Sequence, residues 1–152
     1  MKRKPISSWI ETMRTHYHAG HRLVTWHPRG ILDDALLDEI AYFTQTLEQI
    51  SEGPFDRFTD LSGLEEIHLK IGHVFEIAEE RKTAHAGLPQ VKSAFYCDKI
   101  VGFGMARMYE ALMEETSIDV RTFRVRSIAA AWLEVPPRVL DEIDNPETES
   151  FL

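Results

Sequence analysis

The chain has 152 residues, 43% hydrophobic and 28% charged, enough for one ordinary domain with its own core and no help from metal or disulfides. Its formal net charge of −8 excludes the broad basic surfaces that bind nucleic acid or dock on anionic membranes. The single Cys97 excludes an internal disulfide, no apolar run approaches the roughly 20 residues of a spanning helix, and the opening MKRKPISSWIETM has no apolar stretch of signal-peptide length, so a soluble cytoplasmic protein is expected.

Residues 1–11 read as an irregular lead-in with Trp9 and Ile10 as anchors. TMRTHYH and HRLVTWH flank Ala19-Gly20, and both alternate as the strands of an antiparallel hairpin closed by a glycine turn. In the second flank Leu23, Thr25 and His27 share one face, and Arg22, Val24 and Trp26 the other. Pro28-Arg29-Gly30 ends that pairing, since proline has no donor for a ladder. Asp33 or Asp34 then opens a helix in which Leu36, Ile40, Phe43, Leu47 and Ile50 keep a four-three rhythm, stopped by Ser51-Glu52-Gly53-Pro54.

FDRFTDL reads as a short strand, and Ser62-Gly63-Leu64-Glu65 has the spacing of a capping box. A helix is expected from there to about Thr83, with Leu64, Ile67, Ile71, Val74 and Ala78 buried. After Ala86-Gly87-Leu88-Pro89, VKSAFYCD is a buried strand that ends in Cys97, expected to be a buried and inert thiol. Asp98 is placed to cap a helix whose Val101, Met105, Met108 and Leu112 form a stripe, widened by Phe103, Tyr109 and Met113. Gly102 and Gly104 suggest close approach to a neighbour, whereas a phosphate-binding glycine turn lacks its third glycine, replaced by Arg107.

DVRTFRV completes a parallel crossover unit. Arg121, Arg124 and Arg126 make it a charged edge, which guards against strand addition or meets an acidic partner. Ser127 is expected to cap a last helix, SIAAAWLEV, fastened by Ile128, Ala131, Trp132 and Val135, and Pro136-Pro137 ends it. Residues 136–152 read as a solvated acidic tail: Asp141, Glu142, Asp144, Glu147 and Glu149, with Glu134 just ahead, stand against Arg138.

This order predicts a single α/β domain over 12–135: a mixed, mostly parallel four- to five-stranded sheet with an N-terminal antiparallel hairpin and about four helices. Ligands on such sheets gather where strands end at the carboxyl edge, which points to Thr59, Asp60, Ser62, Gly63 and Asp98. Residues 13–135 resemble the STAS superfamily of anti-sigma factor antagonists, and more closely its SpoIIAA-like branch. The resemblance rests on the TDLSG turn, the run Phe103–Leu112, Val120–Arg124 and Ala129–Leu133. It implies a regulatory module that binds a protein partner, switched in the antagonists by phosphorylation of a serine at the start of the helix after this strand. Here that position falls in Glu66-Ile67-His68-Leu69, which has no serine. Ser62 is the alternative phosphosite, because the helix amino terminus expected there would favour a phosphate, although the capping box already accounts for this serine.

Enzyme chemistry finds no G-x-S-x-G, H-E-x-x-H or P-loop, and Thr59, Asp60 and His68 serve equally as turn and surface groups, so no enzyme and no cofactor is expected. His16 and His18 share a strand face that His21 could approach, the geometry a metal site would need, although edge histidines are commonly just exposed. Two functions follow. The first is a non-catalytic module that binds a protein partner or a second copy of itself. The alternative is a carrier of a small apolar or lipid-like ligand, because the sheet also resembles lipid-transfer folds and Met105, Met108 and Met113 are adaptable lining residues.

Overall fold

A computed structural model describes residues 12–141. The expected lead-in, with Trp9 and Ile10, and the tail acids Glu142, Asp144, Glu147 and Glu149 lie outside the described residues. The elements run β1 (His16–His18), β2 (Leu23–Trp26), β3 (Gly30–Asp33), α1 (Asp34–Ile50), β4 (Asp56–Asp60), β5 (Leu64–His68), α2 (Ile71–His85), β6 (Val91–Tyr96), α3 (Ile100–Leu112), β7 (Ile118–Phe123) and α4 (Arg126–Leu133). The five-stranded sheet has the order β1-β2-β4-β6-β7. β1 is antiparallel to β2, with His16 opposite Thr25, and every other pairing is parallel. This is the mixed α/β sheet with an N-terminal hairpin that the sequence predicts.

Local signals explain most boundaries. Asp33 caps α1, its Oδ1 accepting from Leu36 N at 2.8 Å. The hairpin is closed by a 3-10 turn at Ala19–His21, and the left-handed residue is Arg22, φ 47°, rather than the expected glycine. Its side chain is anchored, Nε donating to Pro54 O at 2.9 Å.

Two expected elements are corrected. The capping box at Ser62 does not open a helix: Leu64–His68 is β5, paired in parallel with β3 as a separate two-stranded ribbon, and α2 begins only at Ile71. Leu64 and Ile67 are spaced for a helix turn but sit here in a strand whose register to β3 shifts beside Gly30, φ 82°. Asp98 does not cap α3; Lys99 holds the cap position and makes no side-chain bond to the helix amino terminus, its Nζ donating instead to Ser62 O and Leu64 O.

The helix stripes are also rotated from expectation. In α3, Val101 is 65% exposed while Gly102 and Ala106 are buried and Met113 follows them into the core. A β-carbon on Gly102 would lie 3.3 Å from Ile67 Cδ1, the expected close approach, whereas Gly104 faces open space. In α4, Ala129, Ala130 and Leu133 are buried and Ile128 is exposed, and Val125 rather than Ser127 sits at its cap. Beyond it a 3-10 turn, Pro137–Leu140, buries Leu140 completely, so the packed body reaches past residue 135 into the expected tail.

Strand alternation divides the core in two. Val24 and Trp26 face α1 with Phe43 and Leu47, and Val91, Ile118 and Val120 meet Ala78 of α2 and Met113. On the opposite face Leu23, Phe58 and Ala94 pack against α4 and Leu140.

Candidate functional site

The same alternation separates the residues expected to form one strand-end site. Thr59 points to the α1–α3 side, where it lines a cavity. Asp60, its neighbour on β4, points to the α4 side and is 7% exposed. Gly63 lies in the following turn, where a β-carbon would approach Pro28 O to 3.2 Å. Asp98 is exposed and contributes its carbonyl, which accepts from Arg124 at 3.2 Å.

Around Asp60 the chain assembles groups far apart in sequence. Ser62 donates to Oδ1 through its backbone N at 2.9 Å and its hydroxyl at 2.5 Å. Arg126 bonds Oδ2 at 2.6 Å, and His27 Nδ1 lies 3.3 Å from the same oxygen. The guanidinium of Arg126 also donates to Leu140 O and stacks over Tyr96 and Phe58. Burial alone would raise the Asp60 carboxyl; the Ser62 and Arg126 hydrogen bonds outweigh it and hold the group below its usual range.

Such a carboxylate is a poor proton acceptor at neutral pH. The Ser62 hydroxyl donates to one oxygen of that weakly basic carboxylate, and His27 lies against the other oxygen. Asp60 therefore ties β4 to β2 and to the start of α4. Ser62 precedes a strand, so the helix amino terminus that would favour a phosphate beside it is absent from this position.

The expected basic edge is occupied from within. Arg121 lies over Trp132, Arg124 over Phe103, and Arg126 on Asp60. His16 and His18 meet ring edge to face at 4.3 Å, His18 bonds Thr25 Oγ1 at 3.2 Å, and His21 is exposed in the turn beyond. Among the described residues no three His, Cys, Asp or Glu side chains are placed to hold a metal ion. Cys97 is buried, and burial, with the nearby Asp98 charge, pushes its thiol up to about 12.

The second site is the cavity, of about 130 Å³, between the sheet and α1, α2 and α3. Leu37, Ile40 and Ala41 of α1, Ile77 of α2, Phe95 of β6 and Met105 of α3 line it. Thr59, Ser93, Arg57 and Arg81 also stand in its wall. Arg57 and Arg81 share Glu48, bonding its Oε2 at 2.6 and 2.5 Å. Burial would raise Glu48, but the Arg81 hydrogen bond and the two positive charges hold it below its usual range. Neither the triad nor the cavity is legible in the sequence, because Glu48, Arg57 and Arg81 come from three elements with no shared spacing. Of Met105, Met108 and Met113, expected as lining residues, Met105 stands in the wall of this cavity, Met108 does not, and Met113 is core.

The chain is similar to a SpoIIAA-like protein. That structure is the crystal structure of an uncharacterized protein from the DUF3478 family with a SpoIIAA-like fold, from Shewanella loihica PV-4. Identity is 13%, the match covers 73% of this chain and 83% of that one, and the TM-score is 0.44. No family model matches the chain, and no curated protein matches it. No helix among the described residues is long and apolar enough to cross a membrane.

Proposed function

We propose that the chain is a non-catalytic, cytoplasmic binding protein that carries a small, largely apolar ligand between its sheet and helices. The observation that carries this reading is the cavity: about 130 Å³, lined mainly by aliphatic and aromatic side chains, with Thr59, Ser93, Arg57 and Arg81 also in its wall. A wholly apolar cavity of about 150 Å³ takes up benzene-sized molecules, so the size here suits one ring.

A second reading, a module for a protein partner or a second copy, draws on the exposed start of α3. Ile100 is 78% and Val101 65% exposed, beside Leu64 and Ile67 of β5 in a shallow crevice. Native mass spectrometry of untagged protein separates the two. A carrier retains a bound mass of small-molecule size on a monomer. A stable dimer without such a mass would transfer the proposal to the α3 surface.

A further inference from the structure

The cavity has an electrical asymmetry. Its charged lining residues are Arg57 and Arg81, and no acidic side chain lines it. Both guanidiniums converge on one oxygen of Glu48, and all three side chains are at most 8% exposed. Two cations against one carboxylate leave an excess positive charge out of water, which is costly unless another anion joins it. The neighbours do not cancel it: burial keeps the Tyr109 phenol protonated, and burial together with Arg57 holds the His85 imidazole below its usual range. Arg57 donates to Glu48 and to Phe55 O, yet its Nε is buried with no hydrogen-bond partner among the described residues.

Building on the carrier reading, we propose that the ligand is an anion with an apolar body: a small carboxylic acid whose carboxylate meets Arg57 and Arg81. Its body, one ring or a short branched chain, lies among Leu37, Ile40, Ile77 and Phe95. A carboxylate suits this end of the cavity because guanidinium groups bind it through paired, charge-assisted hydrogen bonds. A volume of about 130 Å³ excludes long acyl chains.

Calorimetric titration of the full chain with benzoate and with toluene, its neutral counterpart, tests this. Benzoate binds about tenfold more tightly or better. Glu48→Gln removes the competing carboxylate, so that variant has a lowered Tm that benzoate restores by more degrees than it adds to the unaltered chain. Ala41→Leu, which takes up the room for a ring without touching a charge, abolishes benzoate binding. Toluene binding as tightly as benzoate overturns the anionic ligand and leaves the apolar carrier standing. Benzoate binding that survives Ala41→Leu puts the acid elsewhere and overturns the proposal. Binding of neither probe removes the carrier reading with it. If Glu48→Gln does not fold, the probe pair and Ala41→Leu decide alone.

Discussion

Asp60 receives four polar contacts on two oxygens, from Ser62 twice, Arg126 and His27. Asp60→Asn keeps the shape and removes the charge, leaving His27 buried beside an amide while Arg126, 30% exposed, reaches water. A loss of about 1–3 kcal/mol at pH 7 is expected in denaturant unfolding. Because the folded carboxyl is held below its usual range, its contribution is complete above the ordinary carboxylate value near 4 and disappears as pH falls through the folded one. The gap between variant and unaltered chain therefore closes in acid; a gap constant from pH 7 to about pH 2 would show that the charge is not what the contacts serve. The aspartate itself was legible, an acid at the end of a strand. Its partners were not, since His27 and Arg126 stand 33 and 66 residues away and alternation does not say which strand lies beside which. Cys97 was legible as an apolar strand-end thiol, and with its value pushed up to about 12 it should resist iodoacetamide at pH 8 until the chain is unfolded.

At the scale of elements, spacing identified the helices better than it oriented them. Val101, Met105, Met108 and Leu112 recur at helical intervals, yet the buried line of α3 is Gly102, Ala106 and Met113, because the smallest residues let the helix approach Ile67 and Cys97. Periodicity weighs apolarity and is blind to glycine as a packing residue. The two glycines therefore separate experimentally. Gly104→Ala enters open space and should stabilise by about 1 kcal/mol, the difference in helix propensity. Gly102→Ala gains the same propensity but pushes the end of Ile67, so its net gain should be smaller. Equal gains in paired thermal unfolding curves would mean that the α3–β5 approach is slack. The ribbon of β3 and β5 was misread for a related reason: a serine three residues before a glutamate matches a capping box locally, while the strand that claims Leu64–His68 is about 34 residues upstream.

Across the whole molecule the two faces of the sheet are treated differently. The α4 face is filled by Phe58, Ala94, Ala129, Ala130, Leu133 and Leu140, with Asp60 and Arg126 closing its rim. The opposite face keeps a void between well-packed ends, one around Phe43 and Leu47, the other around Met113 and Val120. The parallel sheet and its hairpin could be read from alternating strands and striped helices; the void could not, since it arises where three stripes fail to meet. At roughly 24 cal/mol per Å³, a cavity of about 130 Å³ costs about 3 kcal/mol when empty. A site kept for a ligand should therefore trade stability for occupancy. Ala41→Leu fills part of the space from α1 and should recover roughly 1 kcal/mol, raising Tm by about 2–4 °C for a chain of this length. In the same variant the thermal shift given by benzoate or toluene should vanish. A destabilised Ala41→Leu chain that still responds to either compound would mean that the walls have already closed on the space, and that the ligand binds elsewhere.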